Sequence, residues 1–195
     1  MTIIKRFTKV KCGYRPGIIF ARNVLEEVNN VTTRQLEISI YRTLAKMGTY
    51  LCFEVMMPGA YENGFRAGRN YERVDLLTYD TTGTWRFYEL KISKKDFYSK
   101  NAVTFKGHLN YYVMPGELYD QVKDDIPPGV GVYKAREHEP HFCDCIKKAK
   151  RQALDVDEEK LKNAFMQALS REHGKYRRLL AAEGGAACGL QYATP

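Results

Sequence analysis

Arg73-Val74-Asp75-Leu76-Leu77-Thr78-Tyr79, then Asp80-Thr81-Thr82-Gly83-Thr84, then Trp85-Arg86-Phe87-Tyr88-Glu89-Leu90-Lys91 read together as an antiparallel β-hairpin. Two runs rich in β-branched and aromatic residues, 73–79 and 85–93, flank a short cluster of turn formers. Alternate side chains of a strand share a face, so Trp85, Phe87, Glu89 and Lys91 line up along the second strand. If Tyr79 pairs with Trp85 across the turn, the same register sets Asp75 opposite Glu89. Directly opposed residues have Cβ atoms roughly 4.5–5.5 Å apart, and like charges there destabilise the pair. Three things offset such repulsion: one carboxyl keeps its proton, Lys91 neutralises part of the charge, or a divalent cation binds between the two. The third has a chemical purpose. Hard oxygen ligands suit Mg²⁺, with Mn²⁺ as a substitute, and the ion activates water against a phosphodiester while the Lys91 ammonium positions that water and stabilises developing charge.

Outward from the hairpin, Thr32 and Gln35 make a capping box ahead of Leu36, Ile40, Leu44 and Met47, and Gly48 supplies a stop, which predicts a helix over 33–47. Tyr50 to Met57 reads as a strand with Glu54 inside it, and the glycine-rich, basic 58–71 as a loop. Beyond the hairpin, the pattern predicts a short helix within 93–107, a strand at 109–114 ended by Pro115-Gly116, a helix at 117–123, a strand at 130–135, and a turn at 137–140 leading into 142–146. The first 30 residues lack a period and read as an irregular arm with one short strand at 17–21.

Asp75, thirteen intervening residues, then Glu89-Leu90-Lys91 on the second strand of a hairpin resembles the PD-(D/E)xK phosphodiesterase superfamily, although Val74 stands where the motif's proline would be. The order helix, three strands, helix, strand over about 33–135 is similar to that superfamily's core. The resemblance implies an α/β (α+β) protein with a restriction-endonuclease-like αβββαβ core and a mixed sheet, and a metal-dependent nuclease that hydrolyses DNA. It implies Asp75, Glu89 and Lys91 as catalytic residues, and Glu37 of the first helix as a metal ligand beside Asp75 and Glu89. His108, with Lys106 nearby, falls close to where such a fold contacts phosphate. A second Glu-x-Lys, Glu158-Glu159-Lys160, lies on a surface helix without an acidic partner and carries no such meaning.

The composition agrees with a nucleic-acid partner. The 195 residues carry 31 Lys and Arg against 23 Asp and Glu, a net charge of +8, which favours a polyanion. Residues 146–195 hold ten basic and six acidic residues, half of that net charge in a quarter of the chain. Arg66, Arg69 and Arg73 ahead of Asp75, and Lys94 and Lys95 after the catalytic strand, are candidate phosphate contacts. The expected organisation is a nuclease-like domain at 1–146 and a basic helical extension at 147–195. In that extension Asp157 caps a helix with an apolar stripe of Leu161, Phe165, Ala168 and Leu169, and a small-residue, disordered tail runs from Ala181. The stripe would pack on the core or on a second copy in a homodimer. No apolar run reaches the ~18 residues of a membrane helix or forms a signal peptide, and five scattered cysteines fit a reducing cytoplasm. His138, His141, Cys143 and Cys145 are chemically able to hold zinc, but in an extended segment three of them form a row that cannot surround an ion. Two rivals to the nuclease remain: a catalytically inactive nucleic-acid-binding module of the same fold, and a zinc-stabilised interaction protein.

Overall fold

The computed structural model describes residues 31–58, 61–62, 65–66, 72–99, 105–136 and 141–184. The expected irregular arm and strand at 17–21, Arg69, the expected turn at 137–140 with His138, and the residues beyond 184 lie outside them. All the elements below belong to the compact unit Thr32–Pro195.

Helix α1, Thr33–Leu44, starts at the expected capping box: Gln35 N–H donates to Thr32 Oγ1 at 3.2 Å while Thr32 N–H donates to Gln35 Oε1 at 2.8 Å. It stops short of the expected residue 47, because Ala45 is already extended and Gly48, at φ +80°, makes the turn into the sheet. Met47 is therefore fully exposed rather than part of the buried stripe of Leu36 and Ile40. Strand β1, Thr49–Met56, follows, then β2, Tyr61–Glu62, and β3, Phe65–Arg66, which pair with each other inside the stretch expected to be loop. The hairpin is β4, Arg73–Asp80, and β5, Trp85–Leu90. Next come α2, Lys94–Phe97; β6, Leu109–Met114; α3, Gly116–Val122, which runs into a 3₁₀ turn; β7, Gly131–Ala135; β8, Cys143–Lys147; and α4, Glu158–Gly184.

The protein is α+β. Its six-stranded mixed sheet has the order β1-β4-β5-β6-β7-β8, with antiparallel pairing among β1, β4 and β5 and between β7 and β8, and parallel pairing from β5 through β7. The hairpin holds the expected register, from Tyr79↔Trp85 to Leu76↔Tyr88. Its turn is locked by Asp80, whose Oδ1 accepts from the N–H groups of Thr82 at 3.0 Å and Thr84 at 3.1 Å. Burial opposes charge on Asp80, but hydrogen bonds from Thr82, Arg86 and Thr84 outweigh it and bring the carboxyl down to about 2.

Alternation along β5 sends Trp85 and Phe87 to one face, where they pack with Cys52, Val55, Val74 and Leu77 against Leu161, Phe165 and Ala168 of α4. Tyr88 points to the other face and stacks on Tyr111 at 5.2 Å. The C-terminal helix thus completes the core instead of standing apart as an extension. It also runs on past Ala181, where a disordered tail was expected, to Gly184. A second cluster joins Phe97 of α2 and Leu118 and Val122 of α3 to Tyr112 and Met114 of β6 and Val132 of β7.

Candidate active site

At the open end of the hairpin the two strands part. The last backbone pair is Leu76↔Tyr88, and one residue further in that register Asp75 stands opposite Glu89. Here the side chain replaces the ladder: Leu90 N–H donates to Asp75 Oδ2 at 2.9 Å. The other side of β5 stays paired, with Glu89 beside Tyr112 of β6 and Lys91 N–H donating to Val113 O at 2.9 Å. Glu89 and Lys91 are both buried, at 4% and 5% exposure, so the Glu-x-Lys lies in the protein rather than on a solvated face. Burial raises the Asp75 carboxyl above its ordinary value, opposed by the Leu90 hydrogen bond and by the charges of Lys91 and Arg73. Lys91 Nζ lies 3.7 Å from Asp96 Oδ1.

Asp96 is held by the start of α2. Its N–H donates to the capping Ser93 Oγ at 3.2 Å, and its Oδ2 accepts from Ile92 N–H at 3.3 Å. The Ser93-x-x-Asp96 capping pattern, two residues beyond Lys91, is a signal in the sequence that could have nominated Asp96 as the lysine's partner.

Glu37 sits on α1, half-buried. Burial raises its carboxyl, and the charges of Glu54 and Asp75 raise it further, against a smaller lowering by Arg34. Glu37 thus lies within electrostatic reach of both Glu54 and Asp75. Glu54 is a site residue that the sequence pattern does not nominate. The β1–β4 register, Phe53↔Leu76 and Val55↔Val74, puts it opposite Asp75, so Glu54, Asp75 and Glu89 form a row across three adjacent strands. Glu54 has φ +56°, the sole left-handed residue other than glycine among the described residues, a conformation costing about 1–2 kcal/mol. The alternation of both strands slips at this level. Cys52 and Val55, three apart, share the α4 cluster, as do Val74 and Leu77, and the slip keeps Glu54 and Asp75 out of it. The sequence carries one hint, a lone acid within the apolar run Leu51 to Met57.

The basic candidates divide. Arg73 is half-exposed and ion-paired with Glu54. Lys94 and Lys95 are exposed at the start of α2. Lys106 Nζ contacts Glu72 Oε2 at 2.6 Å, just before β4. Arg66 lies in β3. His108 is not brought to the carboxylates: its Nδ1 accepts from Trp85 N–H at 3.0 Å, at the opposite end of β5 from Glu89. Four residues of strand separate those levels, about 13 Å. Burial and the nearby Arg151 charge hold this histidine below its ordinary value, which suits an uncharged acceptor.

Among the described residues no three or more His, Cys, Asp or Glu side chains converge as a ready cage for a metal ion. Mg²⁺ needs none: it keeps several waters and binds through one or two carboxylates together with substrate phosphate, so the donor chemistry of Asp75 and Glu89 fits it. The candidate zinc ligands fare differently. Cys143 is buried with its thiol pushed up to about 12, chiefly by burial, and Cys145 is exposed on the next alternate position of β8. Neither belongs to a group of three or more such side chains that converge among the described residues.

No family model and no curated protein matches the chain. Among solved structures, the fold is similar to that of a protein of unknown function from Silicibacter pomeroyi, at 19% identity and a TM-score of 0.53, over 80% of this chain and 94% of that one. That likeness speaks to the fold alone.

Proposed function

We propose that this protein is a magnesium-dependent nuclease of the restriction-endonuclease-like fold that hydrolyses phosphodiester bonds in DNA. The observation that carries the reading is the junction of Asp75, Glu89 and buried Lys91 where β4 and β5 part, with Asp75 tethered by Leu90 N–H. The element order α1-β1-β4-β5-α2-β6, with β4 antiparallel and β6 parallel to β5, supports it as well.

Asp75 and Glu89 would hold the metal, with Glu37 assisting. When bound, Mg²⁺ would supply Lewis acidity toward the phosphate and make a water it holds more acidic. Lys91 orients that water and offsets negative charge developing on the phosphate, and Asp96 keeps the ammonium directed. Lys94, Lys95 and Arg73 flank the site as phosphate contacts that position the strand. The free thiols of Cys52, Cys143 and Cys145 agree with work in a reducing cytoplasm.

The test is cleavage of supercoiled plasmid and of single- and double-stranded oligonucleotides in Mg²⁺, Mn²⁺ and EDTA. Wild type should cleave only with metal, and Glu89→Gln should lose cleavage while keeping its fold. Equal turnover by the two would remove the assignment. DNA binding by wild type with no cleavage in either metal would replace the nuclease by the inactive binding module.

A further inference from the structure

Consecutive carbonyls of a regular strand point in opposite directions. In β1 they do not: Arg171 Nη2 of α4 donates to Glu54 O at 2.8 Å and reaches Phe53 O at 3.4 Å. Two successive carbonyls facing one guanidinium nitrogen is a consequence of the left-handed backbone at Glu54. β1 ends the sheet among the described strands, so no neighbouring strand is there to take these acceptors. The guanidinium is itself oriented, with Arg171 Nε 3.0 Å from Glu172 Oε1 and Lys175 Nζ 2.9 Å from the same oxygen. Arg171 adjoins the buried stripe at Ala168, so its Cα is placed by the core.

We propose that Arg171 is a positioning residue for the carboxylate row: from the C-terminal helix it clamps the left-handed turn that directs Glu54, and hence its neighbour across the register, Asp75, out of the core. It contacts neither metal nor DNA and acts only through the β1 backbone. Arginine suits this task better than lysine, because its planar group holds Nη2 on the two carbonyls while Nε is fixed by Glu172, whereas an ammonium is a point charge on a flexible stem. The inference rests on the nuclease reading for its effect on rate, while the clamp itself is testable without it.

The experiment compares wild type with R171M, R171K, E54G and R171M/E54G as full-length proteins. Thermal unfolding is followed without metal and over titrations of MgCl₂ and MnCl₂, and plasmid cleavage is measured at limiting and saturating metal. Glycine adopts positive φ without strain, so R171M should lower the melting temperature markedly in wild type and much less in the E54G background. R171M should need several-fold more metal for its half-maximal stabilisation. Its cleavage rate should fall by roughly ten- to a hundred-fold, the scale of a catalytic group displaced by about 1 Å, with R171K recovering part. An equal melting-temperature loss in both backgrounds would overturn the clamp. A folded R171M with the wild-type metal midpoint and rate would overturn the positioning role while leaving the nuclease intact. If R171M does not fold, the same metal midpoint and rate are read from R171K, whose identity with wild type would be equally fatal. A wild type that neither cleaves nor responds to metal would sink the nuclease reading and the effect on rate together, with the coupling between Arg171 and Glu54 still deciding the clamp.

Discussion

Asp75 is the residue on which the proposed chemistry turns, and its environment makes a sign-definite prediction. Its carboxyl and that of Glu37 are raised above the ordinary carboxylate value, chiefly by burial. Between the ordinary and the raised values these two groups hold more protons in the folded state than in the unfolded one, so their contribution to metal-free stability falls as pH climbs through that interval and is lowest at neutral pH. Asp75→Asn retains an oxygen able to accept from Leu90 N–H and removes the charge. In EDTA at neutral pH the variant should melt above wild type, each 1 kcal/mol counting for roughly 2–4 °C in a chain of this size. At a pH low enough to protonate both raised carboxyls the difference should vanish, and a pH series of melting curves decides the matter; a constant offset would mean that the charge is not the cause. The pairing of Asp75 with Glu89 is legible in the sequence because a strand has period two and the turn at Asp80 fixes the register. Glu54 is not, since one left-handed residue reverses the alternation on which the reading depends, and a lone acid in an apolar run does not say which way it faces. His108 escapes for another reason: adjacency in sequence to a strand says nothing of which end of the neighbouring strand it meets.

Helix α4 shows how far a pattern reads and where it stops. Its cap is the expected one, with Lys160 N–H donating to Asp157 Oδ1 at 2.8 Å, and its stripe is the expected one too. Its end is not legible from residue size, because Ala181, Ala182 and Glu183, small or polar as a tail would be, are also strong helix formers. Leu161 is fully buried against the sheet, so Leu161→Ala should cost about 2–5 kcal/mol in denaturant unfolding. Truncation at residue 147 would strip Trp85 and Phe87 of their cover, and is therefore no clean probe of DNA binding. Lys148 and Lys150 are exposed and have no ion pair among those described. Their double substitution by Gln should leave stability near wild type and flatten the slope of log affinity against log salt by roughly 0.9 for each phosphate that is no longer neutralised. An unchanged slope over a salt titration would assign DNA binding to other residues.

For the molecule as a whole, a ligand that binds only the folded state must stabilise it. Mg²⁺ at about 100 times its dissociation constant contributes roughly 2.7 kcal/mol, which for a chain of this size means roughly 5–10 °C in melting temperature. Asp75→Asn and Glu89→Gln should abolish most of that rise, and differential scanning calorimetry with and without Mg²⁺ measures it. No helix among the described residues is long and apolar enough to cross a membrane. The guanidinium lodged against β1 also bears on how copies of the chain meet. An end strand offers a row of unpaired backbone groups to any extended segment that drifts alongside. On β1 that row is interrupted toward its C-terminal end, where the neighbouring acceptors Phe53 O and Glu54 O both face Arg171. An incoming strand would find only short stretches of regular template on either side, too brief a run to zip up. Among the described strands, the contact that holds the left-handed turn would therefore also make β1 a poor template for a further strand.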